Sequence, residues 1–450
     1  MITSPIFRGK TYAVLGLARS GIATVDALLA SGATVAAWDS NAERRASLSP
    51  SRRVRGEGPI DGASHSPSPN PLSFADPLEI DLTGFDGVVV SPGVPINSHP
   101  IAEKARAAGV PLIGDIELFA QARASLPPHK VVGITGTNGK STTTALIDHI
   151  CRAAGFPSLA GGNIGIPILA HDPLPEGGVY VLELSSYQID LTHSLDCDVT
   201  VLLNISPDHL DRYDSDMARY AASKERLFTM QSAGHAAVIG IGDEWSTGIA
   251  KTLARAGRAE DVTKIAPGFC MDQSRWPALQ GPHNAQNALA AIAACEALGI
   301  PTAAIDRGLE TYAALPHRME IIAVKDGVRY VNDSKATNSD STAPALQAFD
   351  RVHWILGGRA KTNDLDACRP GFSHVVRAYT IGEAGEMFAI LLEPDMPVER
   401  SDTLDAAVKS AAAHASPGDT VLLSPACASF DQFTDYEARG DAFRAAVAAL

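Results

Sequence analysis

Gly133-Ile-Thr-Gly-Thr-Asn-Gly-Lys-Ser-Thr-Thr-Thr144 is the stretch whose reading decides the fold. The apolar pair Val131-Val132 precedes it, and Ala145-Leu146-Ile147 continues it in a helical pattern. A strand that ends in a glycine-rich turn and opens into a helix aims several backbone N–H groups and the positive helix end at one spot. Polyphosphate fits there. Lys140 adds a point charge against the outer phosphates, and the hydroxyl of Ser141 or Thr142 is placed to ligate Mg²⁺. The loop departs from the strict Walker spacing, with Ile134 where a glycine is asked for and glycines at 133 and 136 instead. A plain loop has no need of Lys-Ser-Thr directly after its last glycine, so the segment is read as an ATP or GTP site.

Composition bounds the rest. A chain of 450 residues is too long for one core and suggests about two to four domains. With 45% hydrophobic and 20% charged residues it is an ordinary globular chain, and no apolar run approaches the ~20 residues of a membrane helix. The start, Met1 to Lys10, lacks a basic region followed by an apolar one, so no secretory signal is expected and a cytoplasmic location is. The formal net charge of −14 disfavours a nucleic-acid partner, because phosphate backbones select basic surfaces. Small-molecule partners, no membrane partner and a monomer are expected. Six scattered cysteines without a C-x-x-C pair argue against a zinc site or a disulfide framework and read as small core residues.

Outward from the glycine loop, three segments alternate short strands with amphipathic helices, the mark of α/β domains. The first holds Thr11–Leu15, a turn at Gly16 to Gly21, a helix with Ile22, Val25, Leu28 and Leu29 on one face, then 34–39 and 87–91. It is Rossmann-like. Residues 47–77, rich in proline and serine, interrupt every periodicity and read as a flexible surface insertion. The second segment adds strands at 179–183, 199–204 and 236–240 and a helix over 284–298, whose near-continuous apolar strands predict a buried, mostly parallel sheet. The third alternates again, with strands at 328–332, 352–357 and 420–424 and polar clusters directly after them. Three consecutive α/β domains are expected: a Rossmann-like one at 1–113, a central P-loop ATPase-like one at 114–315, and a Rossmann-like one at 316–450.

Glu183 ends an apolar strand in the segment of the phosphate loop, where a carboxylate is placed to be a second Mg²⁺ ligand or, more plainly, a cap or ion-pair partner. His209 follows the strand ending at Asn204, and Lys224 reads on spacing alone as a helix-surface lysine. A wider pattern changes both readings. Gly136-Thr-Asn-Gly-Lys-Ser-Thr142, Gly161-Gly-Asn-Ile-Gly165, Glu183-Leu-Ser-Ser-Tyr-Gln188, Asp208-His-Leu-Asp-Arg-Tyr213, Gly281-Pro-His-Asn-Ala-Gln-Asn287, His317-Arg318 and Asn332-Asp-Ser-Lys-Ala-Thr-Asn338 resemble, in order and spacing, the Mur ligase family. The likeness runs through nearly the whole chain. At its two ends, Gly16-Leu-Ala-Arg-Ser-Gly21, Ser91-Pro-Gly93, Gly114-Asp-Ile-Glu-Leu-Phe119 and Leu423 to Phe433 are most similar to the member that adds D-glutamate to UDP-N-acetylmuramoyl-L-alanine.

The resemblance implies an ATP-dependent ligase of peptidoglycan precursor synthesis that passes through an acyl phosphate. It implies that Gly136, Thr137, Asn138, Gly139, Lys140, Ser141 and Thr142 hold the phosphates, with Ser141 and Glu183 on a first Mg²⁺. A second Mg²⁺ would be held by His209 and by Lys224 after carbamylation. Asn284 and Asn287 would face adenine, and Arg318 and Asp333 would close over ATP from a hinge near 315–318. Leu17, Ala18 and Asp39 match the uridine nucleotide site, Ser91 and Gly93 are further substrate-binding positions, and Asn163 and Gln188 fall near the muramoyl part. Lys335, Thr337, Lys361, Ser429 and Phe430 match the D-glutamate pocket. One departure is Leu365, where the family usually has an aromatic residue, while Lys361 and Asp364 stay in register.

The alternatives are a sister ligase or folylpolyglutamate synthase, which share the central motifs, and two readings of another class. Gly16 to Gly21 with Asp39 resembles a nicotinamide dinucleotide site, but Ala18 stands where its middle glycine belongs and a dehydrogenase leaves the Lys140 loop without a purpose. A non-catalytic nucleotide switch would bind ATP without the histidine, second lysine and acidic strand end.

Overall fold

The structure, a computed structural model, describes residues 1–48, 71–266 and 272–450. It is α/β, with three sheets that are mostly parallel. The chain divides into two compact units, one of Met1–Ile265 with Ala290–Ile305 and one of Ala266–Leu289 with Asp306–Leu450.

The first sheet holds β1 (Thr11–Leu15), β2 (Thr34–Trp38), β3 (Leu72–Phe74), β4 (Gly87–Val90) and β5 (Leu112–Ile113) in the order β3-β2-β1-β4-β5. Every pairing in it is parallel. The helix Arg19–Ala30 joins β1 to β2 and buries Val25 and Leu28, the helical stripe visible in the sequence. Of the stretch 47–77, residues 49–70 lie outside the described residues. Its far end is part of the sheet, because Leu72–Phe74 pairs with Val35–Ala37 and buries Leu72.

The second sheet holds β6 (His129–Thr135), β7 (Ser158–Gly162), β8 (Gly178–Glu183), β9 (Val199–Leu202), β10 (Ala236–Gly240) and β11 (Val262–Ile265) in the order β11-β10-β9-β6-β8-β7. All are parallel. Strands β8 and β9 are buried at every position, as strands covered on both faces must be, which is why their sequences are apolar runs without alternation. The chain leaves β6 for β7 on one side and later reaches β9 on the other, so the strand order reverses at β6. Ligands of open α/β sheets bind beyond the carboxyl ends of strands at such a point. The glycine loop begins there.

The first two sheets share a core in which Tyr12, Val14 and Leu28 belong to one cluster with Val131, Tyr180 and Leu182. Backbone bonds from Ile2 N–H to Leu169 and from Gly114 N–H to Leu191 add to it, at 3.1 and 2.9 Å.

The third sheet holds β12 (Glu320–Lys325), β13 (Val328–Asn332), β14 (Val352–Gly357), β15 (Val375–Ile381), β16 (Val398–Asp402) and β17 (Thr420–Leu423) in the order β12-β13-β17-β14-β15-β16. Only β12 runs antiparallel, joined to β13 by Asp326-Gly327 with both φ angles positive, the backbone that a two-residue hairpin needs. Trp354 is fully buried at the centre, and its indole N–H donates to the Ser424 carbonyl at 2.7 Å. The five described cysteines are buried and free, and Cys270 lies outside the described residues. Among the described residues, no helix is long and apolar enough to cross a membrane.

Candidate active site

Strand β6 ends in a turn whose shape depends on two glycines. Gly136 has φ 149° and Gly139 φ 85°, and a Cβ on Gly136 would sit 3.1 Å from that of Leu203. Gly139 is the N-cap of the helix Lys140–Ala153, so no cap side chain covers that helix end. The turn is held from β9. Thr137 N–H donates to the Asn204 carbonyl and Asn138 N–H to Asn204 Oδ1, both at 2.9 Å, while Asn204 Nδ2 returns a bond to the Asn138 carbonyl at 3.1 Å. The Thr137 hydroxyl lies 3.1 Å from both the Ser206 carbonyl and the Tyr220 hydroxyl.

Two lysines converge on this turn. Lys140 Nζ donates to the carbonyls of Gly136 and Thr137 at 3.0 and 2.7 Å, and Lys224 Nζ donates to the same Gly136 carbonyl at 2.9 Å. Lys224 is no surface residue. It is 1% exposed on the helix Met217–Thr229, with its ammonium 4.6 Å from the centre of the Tyr220 ring. Burial, and then the charge of Lys140, push its pKa well below the usual lysine range. Its charged form is thereby disfavoured relative to that of an exposed lysine.

Beside the lysines lies a hydroxyl–carboxylate pair. Ser141, in the first turn of the loop helix, donates its hydroxyl to Glu183 Oε2, and Asn163 Nδ2 donates to Glu183 Oε1 at 2.8 Å. Glu183 is 2% exposed at the carboxyl end of β8, the strand next to β6, which is what brings it to the loop. Gln188 is turned inward, its Oε1 accepting from Ser185 N–H in a capping box. His209 stays exposed on the loop after β9, in the left-handed region at φ 53°, beside Asp208 and edge-on to Tyr187 at 5.3 Å. Among the described residues, no group of three or more His, Cys, Asp and Glu side chains is placed to hold a metal ion.

The turn after β1 has another character. Asp39, just past β2, accepts the Leu17 N–H at 2.7 Å and the Asn41 N–H at 2.9 Å, and Arg44 stands 3.4 Å from it. Burial alone would raise its pKa, but those two N–H groups and Arg44 outweigh burial and hold the carboxyl below the usual range. Ala18 is the N-cap of the following helix. Ser91, after β4, donates its hydroxyl to the Gly16 carbonyl at 2.7 Å, and Gly93 follows in the same turn.

The second unit gathers its candidates at the carboxyl ends of β13, β14 and β17. Asp333 is buried, accepts the Ser424 hydroxyl at 2.8 Å and the Met319 N–H at 3.1 Å, and is pushed up to about 7 by burial, against the pull of those bonds and of Arg318 and Arg439. Lys335 Nζ lies 3.7 Å over the Tyr436 ring, and its N–H donates to the His317 carbonyl at 3.0 Å. Thr337 is half-buried, Lys361 exposed, Ser429 buried and Phe430 63% exposed. Leu365 is buried in the apolar cluster beside Trp354. Asn284 and Asn287 are buried on the helix Pro282–Ala297 and bonded to each other at 3.1 Å.

Two positioning residues escaped sequence reading. Asn204, the anchor of the turn after β6, looks like any polar residue at a strand end. Arg439 is fully buried, giving its guanidinium to the carbonyls of Ser334 and Cys427 and to the Ser334 hydroxyl at 2.8, 3.0 and 3.0 Å. Nothing local marks it, since its partners lie far away in sequence.

The family description "Mur ligase middle domain" matches residues 134–295, and "Mur ligase, glutamate ligase domain" matches residues 317–427. The chain belongs to the Mur ligase family. Over its full length it is 60% identical to the UDP-N-acetylmuramoylalanine--D-glutamate ligase of Novosphingobium aromaticivorans, covering 97% of that protein. It is 59% identical to the protein of the same name from Sphingopyxis alaskensis, with both chains fully covered. Among solved structures, the fold is similar to that of UDP-N-acetylmuramate-alanine ligase from Thermotoga maritima, with a TM-score of 0.58 at 16% identity over 98% of this chain and 99% of that one. A pseudomurein peptide ligase type C from Methanothermus fervidus is likewise similar, with a TM-score of 0.54 at 17% identity over 98% and 100% of the two chains.

Proposed function

We propose that this chain uses ATP to join D-glutamate to UDP-N-acetylmuramoyl-L-alanine, an amide-forming step of peptidoglycan precursor synthesis. The observation that carries the reading is full-length identity of 60% to a ligase of that name. The turn after β6 supports the chemistry. A carboxylate is a poor electrophile because its charge repels nucleophiles, so the γ-phosphoryl group is first transferred to an oxygen of the alanyl carboxylate, releasing ADP. The α-amine of D-glutamate, having lost a proton, attacks the carbonyl carbon. The tetrahedral adduct then expels inorganic phosphate and leaves the amide.

The protein's part is alignment and neutralisation of charge. Lys140 stands at the turn that would receive the phosphates, since the carbonyls it now holds belong to that turn. Ser141 Oγ and Glu183 Oε2, already in contact, are hard oxygen donors of the kind Mg²⁺ selects. Ser141 and Glu183 would hold the ion together with oxygens of the bound nucleotide. The ion would offset charge on the transferred group. Lys224 in its neutral form can add to CO₂, giving a carbamate and a proton. The carbamate would carry a negative charge beside Lys140 and, with His209, would supply donors to a second Mg²⁺.

The uridine site is assigned to Leu17, Ala18, Asp39, Ser91 and Gly93, and the D-glutamate pocket to Lys335, Thr337, Lys361, Ser429 and Phe430, whose cations and N–H groups suit two carboxylates. The enzyme is proposed to act in the cytoplasm as a monomer on small molecules alone. The test is ADP release measured with and without each substrate and each enantiomer of glutamate. Release that needs both UDP-N-acetylmuramoyl-L-alanine and D-glutamate is expected, and release without either, or with L-glutamate equally, would overturn the assignment. In ¹³C-bicarbonate, a carbamate carbon signal is expected that Lys224→Ala lacks.

A further inference from the structure

The loop that carries His209 is strained. His209, Asp214 and Ser215 all lie in the left-handed region, with φ of 53°, 54° and 59°. Side chains with a Cβ rarely adopt that backbone, and it persists where the surroundings over-determine it. Here part of the constraint comes from the turn after β4. The Arg212 guanidinium donates to the Val94 carbonyl at 3.2 Å and reaches the Gly93 carbonyl at 3.5 Å, and Asn97 Nδ2 donates back to the Asp211 carbonyl at 3.3 Å. The same guanidinium lies over the Tyr187 ring at 4.3 Å, and that ring meets His209 edge-on.

Apolar packing does not close this seam. A cavity of ≈ 300 Å³ opens there between Pro92, Val94, Ile96, Tyr187, Leu191 and Tyr213. The polar clasp of Arg212 and Asn97 therefore spans a gap rather than decorating a packed face. A guanidinium can give in-plane N–H groups to two carbonyls while its flat face stacks on a ring, a fixed fork that a lysine ammonium does not reproduce.

We propose that Arg212 is a positioning residue that sets the His209 loop according to the state of the Ser91–Val94 turn, so that seating the uridine nucleotide aligns the histidine for phosphoryl transfer. This rests on the reading above, in which Gly93 contacts that substrate and His209 is a donor to a second Mg²⁺ that serves phosphoryl transfer. The turn offers its carbonyls to Arg212 from the backbone that would receive the ligand. Displacement of Gly93 moves Arg212, and with it the ring on which His209 rests.

Steady-state kinetics of the full chain test this. Arg212→Ala is expected to lower kcat about thirty-fold and to raise KM for the uridine substrate about five-fold, with KM for ATP unchanged. Arg212→Lys restores charge without the fork and should recover only part of kcat. On a His209→Ala background the same substitution should cost less than about two-fold in kcat, because its route of action is gone. Asn97→Ala, which opens the other half of the clasp, gives the same direction with a smaller size and stands in should Arg212→Ala fold poorly. Equal losses on both backgrounds, or full activity of Arg212→Ala and Asn97→Ala, would overturn the inference while leaving the ligase reading intact. A wild-type chain that forms no amide overturns both.

Discussion

The turn after β1 and the turn after β6 are made of the same parts: a buried parallel strand, a glycine with positive φ, and a helix. They end with opposite charge. In the first, Asp39 arrives from β2 and takes the Leu17 N–H. In the second, neutral Asn204 takes the N–H groups of Thr137 and Asn138, and two lysines reach the Gly136 carbonyl. A carboxylate seated on the turn repels polyphosphate and accepts from hydroxyl or N–H donors, whereas the lysine-flanked turn attracts phosphate. Glycines make room in both cases. The side chain sent in from the neighbouring strand decides what enters.

Removing the cation is the hardest way to break this contrast. Lys140→Ala should lower kcat by about a thousand-fold or more and abolish ATP binding in calorimetry, at unchanged circular dichroism. Asp39→Ala should leave ATP affinity within about two-fold. Comparable loss of ATP binding in both variants would show that the two turns do not divide the ligands.

Backbone substitutions come next. A Cβ on Gly21 would fall 1.8 Å from the Gly16 carbonyl oxygen, whereas one on Gly136 meets Leu203 Cβ at 3.1 Å. Gly21→Ala should therefore destabilise by about 3 kcal/mol and Gly136→Ala by less, about 1–2 kcal/mol, read from urea midpoints. The reverse order would mean that the first turn can open more easily than its contacts suggest.

A milder change sharpens the ligand side. Asp39→Asn keeps the shape and removes the charge, and should raise KM for the uridine substrate about ten-fold while KM for ATP holds. The smallest effect is on stability against pH. The Asp39 carboxyl is held below its ordinary value in the folded chain, so its contribution is present above the unfolded pKa and is lost as pH falls through the folded one. The difference in Tm between wild type and Asp39→Asn should be constant above about pH 5 and shrink below about pH 4. A difference that grows on acidification would reverse the sign assigned to this group.

Local sequence carried much of the fold. Thr11–Leu15, Ala236–Gly240, Val328–Asn332 and Val352–Gly357 form strands with the bounds read from the apolar runs, because buried parallel strands leave an uninterrupted signature. Edge strands left none. Leu72–Phe74 lies beside a proline- and serine-rich stretch, Val398–Asp402 is mostly polar, and Ser158–Gly162 reads as a glycine motif. Each gains its hydrogen bonds from one neighbour and needs no apolar run. The candidate site divides in the same way. That Lys140 and Ser141 open the helix after the glycine turn was legible because that geometry is local, one turn of loop and helix. Lys224 was not legible as a buried group, since a lysine in a polar helix gives no hint of the strand end 88 residues away whose carbonyl it holds.

What the sequence determined by itself was the glycine turn between a strand and a helix at 133–144, the alternation of strand and helix, and a family likeness resting on motifs in order along the chain. Each depends on residues close together, where periodicity and turn chemistry act without tertiary help. Only the folded structure decided that Glu183 meets Ser141, that Asp39 occupies the first turn, and that burial beside Lys140 disfavours the charged form of Lys224. Those facts are set by desolvation and by which strand lies next to which. Neither quantity exists until distant segments pack and water is gone.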